Sequence, residues 1–135
     1  MSISKLLSPV TPNGIIEKTN EIIDTLGTIV SNASTADISL SDSTYTTITS
    51  VVLPAGVWVI AARCHFNTST VGVRRLFLSN TANGDGWDVS YPGGNAQIKY
   101  EVNRIVNLAN QTTYYLRAWQ NSGGALTSQS GRSSI

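Results

Sequence analysis

The sequence predicts an all-β fold, an antiparallel sandwich or barrel, over most of its length, with one helix before it. From about residue 36 onward, six to eight short segments rich in β-branched and aromatic residues follow one another within about 100 residues. Turn-forming sequences such as NTANGDG and PGGN separate these segments. Many short strands divided by such turns are typical of antiparallel sandwiches and barrels.

The length and composition of the chain limit its organisation and its partners. A chain of 135 residues suffices for one hydrophobic core, so we predict an N-terminal attachment segment with a helix at 1–35 and one globular domain at 36–135. The net charge of +1, with 13% charged residues, argues against nucleic acid as a partner and against binding to an anionic membrane. Ser, Thr and Asn make up roughly a third of the chain, a surface composition typical of extracellular or virion proteins.

The single cysteine and the hydropathy pattern indicate what stabilises the protein and where it is synthesised. One cysteine cannot form an internal disulfide, so stability must come from the core or from partner subunits. The first residues lack the apolar middle section of a secretory signal, and no apolar run is long enough to span a membrane. We therefore expect synthesis in a cytoplasm without an export signal, and no membrane insertion.

A helical period of apolar residues occupies the segment from Ile15 to Ala33. Heptad position a holds Ile16, Ile23 and Val30, position d holds Thr19, Leu26 and Ala33, and position g holds Ile15, Ile22 and Ile29. This stripe is wider than a two-stranded coiled coil needs, which favours a three-helix bundle; the alternative is a single amphipathic helix lying on its own domain. The residues predicted to form the trimer contacts are Ile16, Ile22, Ile23, Leu26, Ile29 and Val30.

The strands are predicted from β-branched and aromatic runs between turn residues. In chain order they are Thr44–Leu53, Trp58–Phe66, Arg74–Ser79, Trp87–Tyr91, Gln97–Leu108, Thr112–Asn121 and the tail Ala125–Ile135. The first two strands are divided by the Pro-Ala-Gly sequence at 54–56, which predicts a hairpin.

Alternation along two of these strands predicts which faces are buried. In the second strand one face holds Trp58, Ile60, Ala62, Cys64 and Phe66, and the other holds Val59, Ala61, Arg63 and His65. The second face begins apolar and ends polar, as expected if another subunit covers part of it. The strand from Thr112 likewise carries apolar or aromatic residues on both faces, Tyr114, Leu116, Ala118 and Gln120 on one and Tyr115, Arg117 and Trp119 on the other.

The adjacent Cys64 and His65 are the first candidates for catalysis. Neighbouring residues of a strand point to opposite faces, so the imidazole cannot easily serve as a base for the thiol. We therefore expect no catalytic residue, no enzymatic activity and no cofactor. A metal site would have to be shared between subunits, for example by a threefold cluster of His65, and we predict none.

The loop and strand from Asn80 to Asn95 contain the best candidates for ligand binding. Aromatic rings that stack on a sugar, together with carboxylates and amides that bind its hydroxyls, predict a carbohydrate site at Asn83, Asp85, Trp87, Asp88 and Tyr91. The alternatives are calcium binding, glycoside hydrolysis by Asp85 and Asp88, or a plain connection with Trp87 turned inward. The basic pair Arg74 and Arg75 is expected on a solvated or interface face, with recognition of a phosphate-bearing glycan as the alternative.

Two motifs resemble those of a known family. The pattern VxLPAGxWxIxA, from Val51 to Ala62, and the segment TTYYLRAWQNSGG, from Thr112 to Gly124, are similar to the C-terminal head domains of bacteriophage tail-fibre and receptor-binding proteins. The resemblance covers Thr44 to Ile135. It implies a jelly roll like that of tumour necrosis factor, in which three sandwiches pack about a threefold axis next to a short helical bundle.

The resemblance also implies a function. It implies a homotrimeric virion structural protein on the exterior of the tail or capsid, bound to another virion protein through its N-terminal segment. The implied role is host attachment by binding a host surface saccharide. Two alternatives stay open: a capsid decoration or head-fibre protein that stabilises the virion without receptor binding, and a glycan depolymerase with Asp85 and Asp88 at its centre.

Overall fold

The computed structural model describes residues 28–82, 86–94 and 96–135, with only the backbone described for Trp87 and Asp88. These residues form eight β-strands. In chain order the strands are β1 Ile38–Leu40, β2 Thr46–Leu53, β3 Gly56–Phe66, β4 Ser69–Ser79, β5 Trp87–Gly94, β6 Ile98–Leu108, β7 Thr112–Gln120 and β8 Leu126–Ser128.

The strands build two four-stranded antiparallel sheets. One sheet, called sheet A, has the order β1-β8-β3-β6, and the other, called sheet B, has the order β2-β7-β4-β5. Neighbouring strands pair antiparallel throughout both sheets. The predicted antiparallel sandwich is therefore confirmed, and the barrel alternative is not. The predicted hairpin of β2 and β3 is wrong, because the turn at 54–56 carries the chain from sheet B to sheet A and these two strands do not pair with each other.

The core lies between the two sheets and follows the pleat of their strands. In β3, the residues Ile60, Ala62, Cys64 and Phe66 are buried, while Val59, Ala61 and Arg63 between them are exposed. This confirms the faces predicted from alternation. Sheet B supplies the opposite half of the core, with buried Leu76 and Leu78 from β4, Leu116 and Ala118 from β7, and Val51 from β2. Gln120 belongs to the buried face of β7, as predicted, and its amide donates to the carbonyl oxygen of Leu40 at 2.9 Å, which ties β7 to β1.

Several strand boundaries differ from the prediction. The strand β5 continues to Gly94, so the predicted turn PGGN is wrong for Pro92 to Gly94, and β2 and β3 begin two residues away from their predicted starts. The strand β1 was not predicted, because three residues carry too little pattern; it forms by pairing with β8. The strand β4 begins at Ser69 instead of Arg74, although NTSTVG reads as a turn. Gly72, with a φ of 78°, accommodates a register shift there, and the side-chain oxygen of Asn121 accepts the N–H of Val73 at 2.6 Å.

The two ends of the described chain pair with each other beside β3. Asn32 and Ile135 exchange two backbone hydrogen bonds of 2.9 Å, and Ser134 exchanges two more with Arg63. Ala33 forms an antiparallel bridge with Ser134. The helix predicted to continue through Ala33 is therefore wrong for residues 28–33, including Ile29 and Val30, none of which is helical. Asn32 and Ala33 are extended, and their backbones pair with the tail.

The remaining part of the helix prediction falls on residues that the structure does not describe. Ile16, Ile22, Ile23 and Leu26 lie outside the described residues, so their predicted role in a bundle stays a prediction. The predicted tail strand is confirmed at Leu126–Ser128, but a turn follows, and backbone pairing resumes at residues 133–135. In the part of the chain that the structure describes, no helix is both long and apolar enough to cross a membrane.

Candidate functional site

The predicted carbohydrate residues are only partly described. Asn83 and Asp85 lie outside the described residues. Trp87 and Asp88 begin β5, where their backbones stand opposite Leu78 and Phe77 of β4. The structure therefore gives only the backbone position of Trp87 and Asp88, on the edge strand of sheet B, and their roles in sugar binding stay predictions.

Tyr91 is the predicted carbohydrate residue whose side chain the structure describes. Its ring stacks on that of Tyr100, with centroids 4.0 Å apart and 5° between the ring planes. The Tyr100 hydroxyl donates to the carbonyl oxygen of Pro92 at 3.1 Å, and Tyr91 packs against the core. One face of Tyr91 is thus used in packing, and its contribution to sugar binding stays a prediction.

The pair Arg74 and Arg75 is divided between the two faces of β4. Arg74 is only 2% exposed and donates to the carbonyl oxygen of Ser69 at 2.5 Å. The expectation of a solvated or interface face is therefore wrong for Arg74, because β4 is an interior strand and its alternate residues face the core. Arg75 is half-buried on the outer face of sheet B.

The outer face of sheet B carries a cluster of two arginines and three aromatic rings, which we call the arginine–aromatic cluster: Tyr45, Arg75, Phe77, Arg117 and Trp119. Its strands are β4 and β7, whose register puts Arg75 opposite Trp119 and Phe77 opposite Arg117. Tyr45 precedes β2 on the other side of β7. The sequence indicated Arg117 and Trp119 on one face, but their pairing with β4 is a tertiary contact that the sequence pattern does not contain.

The rings and guanidinium groups of this cluster contact one another closely. The guanidinium carbon of Arg75 lies 5.2 Å from the ring centroid of Trp119, and that of Arg117 lies 5.3 Å from the ring of Tyr45. Tyr45 also meets Phe77 edge-to-face, with centroids 4.9 Å apart. Both distances from guanidinium to ring are within the range of cation–π attraction.

The outer face of sheet A is different in character. Val59 and Ile105 stand opposite each other on β3 and β6 and are 73% and 74% exposed. Val57 and Ala61, the flanking residues on β3, are also exposed. We call Val57, Val59, Ala61 and Ile105 the aliphatic face. Along the outer side of β3 the side chains change from apolar at Val57–Ala61 to polar at Arg63 and His65, as the sequence predicted.

The aliphatic face is continuous with an open groove. The groove has a volume of about 300 Å³ and lies between residues 28–31 and β3. Ile29, Val30, Val59 and Ile135 are among its lining residues. The described chain therefore begins on the same side of the domain as the aliphatic face.

Cys64 and His65 point to opposite sides of β3, as the pleat predicts. The thiol of Cys64 is buried 3.4 Å from the hydroxyl oxygen of Ser128, and burial raises the pKa of this thiol. His65 lies on the outer side of the strand, where burial lowers the pKa of its imidazole and the charges of Arg132, Arg63 and Lys99 lower it further. The two side chains do not form a nucleophile and base.

The charged end of β3 and β6 offers no evident metal site. Lys99 and Glu101 form a salt bridge of 2.7 Å, and this partner lowers the pKa of the Glu101 carboxyl. Within residues 28–82, 86–94 and 96–135, no group of three or more His, Cys, Asp or Glu side chains is close enough to hold a metal ion. The calcium alternative involved Asp85, which lies outside these ranges.

No protein-family model matches this chain, and no curated protein matches it significantly. The family likeness of the β2–β3 segment and the β7 segment thus stays a resemblance.

Proposed function

We propose that this protein is a bacteriophage virion structural protein of the tail-fibre or receptor-binding class, a homotrimeric jelly-roll head that attaches to host surface carbohydrate. The order of strands supports the jelly roll. The hydrogen-bonded pairs β1 with β8, β2 with β7, β3 with β6 and β4 with β5 are those of one long antiparallel ribbon folded over into two sheets. This connectivity is the one implied by the resemblance to phage head domains.

The first segment that carries the resemblance forms a tight connection between the two sheets. The residues of VxLPAGxWxIxA form the end of β2, the turn and the start of β3. Gly56 at the turn has a φ of 136°, which disfavours any residue with a Cβ atom. The indole N–H of Trp58 donates to the carbonyl oxygen of Pro54 at 2.9 Å and braces the turn.

The aliphatic face is the observation that carries the proposal of self-association. Val59 and Ile105 stay largely exposed in one chain although each would contribute about 1.5–3 kcal/mol if fully buried. A face that is always in contact with water usually carries polar side chains. An exposed aliphatic face is instead typical of a surface that another protein covers. In a trimer, the second and third copies of the chain would present the same aliphatic side chains and so cover this face.

The position of the N-terminal segment also supports assembly through the aliphatic face. Residues 28–31 line the groove beside β3, so the preceding segment with the predicted heptads connects to the domain at the aliphatic face. Three predicted helices and three aliphatic faces would then meet on one axis. The remainder of the N-terminal segment would bind another virion protein.

If sheet A faces the other subunits, the outer face of sheet B is the surface available for the ligand. Its outer face combines aromatic rings with arginines, a composition that binds sugars better than it packs against aliphatic side chains. Weak binding by each subunit would gain strength from three copies on one particle.

Mass and adsorption test the proposal. Light scattering coupled to gel filtration should give three times the 14.4 kDa chain mass at micromolar concentration, and a monomer would overturn the trimer. The fluorescently labelled trimer should bind bacterial cells that carry its receptor, and periodate oxidation of the cell-surface sugars should abolish that binding. A trimer that binds virions but no cell or polysaccharide would favour the decoration alternative.

A further inference from the structure

We propose that the arginine–aromatic cluster on sheet B is a saccharide site and that its ligand is acidic, carrying a carboxylate or a phosphate group. This inference rests on the proposed attachment function and adds the position of the site and the chemical class of the sugar. It differs from the site predicted at residues 83–91, because it depends on β4 and β7 and on Tyr45.

The first support is the state of the Arg75 guanidinium. Its flat face lies over Trp119, which leaves the N–H groups at its edge free to donate. Among the described residues, no hydrogen bond or ion pair to the Arg75 side chain occurs, and its Nε is buried without a partner. A carboxylate or a phosphate group accepts two parallel hydrogen bonds from the terminal nitrogens of such an edge.

The second support is the placement of two guanidinium groups on adjacent strands of this face. The β4–β7 register places Arg75 and Arg117 at diagonal positions, where Cα atoms are about 7–8 Å apart. Arg117 is only 7% exposed and lies over the ring of Tyr45, so Arg75 is the guanidinium group of this cluster that a ligand can reach.

The third support is an accessible aromatic ring beside the arginines. Tyr45 is 41% exposed, and Phe77 supports it edge-to-face from below. Its ring can stack on the C–H face of a sugar while the acidic group of that sugar binds the guanidinium edge of Arg75. Ring and charge together distinguish this site from a plain anion site.

An array of bacterial polysaccharides tests the inference. The array should contain uronic-acid, phosphate-bearing and neutral polysaccharides, probed with the wild-type trimer at low salt. We expect binding to acidic members that weakens as NaCl is raised. Calorimetry on the strongest ligand, and on its carboxyl-reduced or dephosphorylated form, then distinguishes a carboxylate from a phosphate as the recognised group.

Matched variants locate the site. Arg75→Gln should weaken binding of the acidic ligand by about tenfold or more, since it removes a charged hydrogen-bonding group. Arg75→Lys keeps the charge but loses the flat bidentate edge, so its affinity should fall between those of the wild type and Arg75→Gln. Arg132→Gln, which removes an exposed arginine from the tail, should leave affinity unchanged. Circular dichroism and mass would confirm that each variant folds and assembles as the wild type does.

The outcomes separate this inference from the proposed function. If the wild-type trimer binds only neutral saccharides, or if Arg75→Gln binds the acidic ligand as well as Arg132→Gln does, the acidic site is refuted while attachment to carbohydrate stands. If the wild-type trimer binds no member of the array and no cell, both proposals fail.

Discussion

Replacing Val59 by Asp should dissociate the proposed trimer without unfolding the domain. The Val59 side chain is 73% exposed in the single chain, so the substitution removes little internal packing, and the free energy of unfolding of the monomer should change by no more than about 0.5 kcal/mol. In a trimer that buries the aliphatic face, by contrast, each chain would place a carboxylate against apolar side chains.

The size of the effect follows from the exposed fraction. Complete burial of a valine side chain contributes about 1.5–3 kcal/mol, so burying the 73% of Val59 that is exposed contributes about 1–2 kcal/mol per chain. Three chains then lose about 3–6 kcal/mol, which corresponds to roughly a 10²- to 10⁴-fold weaker association constant. An unpaired buried carboxylate adds a further cost, so this range is a minimum.

Sedimentation velocity over a dilution series from about 100 to 1 μM measures the change. The matched control is Val71→Asp, since Val71 is another valine that is 60% exposed but lies on β4 of the other sheet. We expect wild type and Val71→Asp to stay trimeric and Val59→Asp to sediment as a folded monomer. Equal dissociation curves for Val59→Asp and wild type would refute the assignment of the aliphatic face to self-association.

Three further predictions concern single side chains. Native Cys64 should react with a thiol reagent at least about a hundredfold more slowly than in guanidinium chloride, because it is buried and its thiol pKa is raised; rapid native labelling would contradict its place in the core. Because the pKa of His65 is lowered in the folded chain, the unfolded chain binds the proton more tightly, and the contribution of His65 to the free energy of unfolding should fall as the pH drops below about 6.5. His65→Asn should flatten that fall in chemical denaturation, and an unchanged slope would count against it. Trp87→Ala should reduce adsorption to host cells while the mass stays that of the trimer; full adsorption would remove Trp87 from the binding site.

The local sequence determined the strands that carry strong period-2 patterns. In β3, alternation from Trp58 to Phe66 predicted the buried and exposed faces and separated Cys64 from His65. The Pro-Ala-Gly sequence predicted the turn between β2 and β3, because these residues favour a turn between two extended runs, but it did not predict that this turn leads from one sheet to the other. These features depend on residues close together in the chain, whose preferences the sequence contains directly.

Tertiary pairing decided the features that join distant residues. Residues 28–33 have a helical pattern, yet Asn32 and Ala33 are extended because the tail at 133–135 pairs with them. The arginine–aromatic cluster exists because β4 pairs with β7 and brings Arg75 against Trp119. Cross-strand register depends on how the whole chain closes, and a local pattern specifies the face of a residue but not the partner strand beside it.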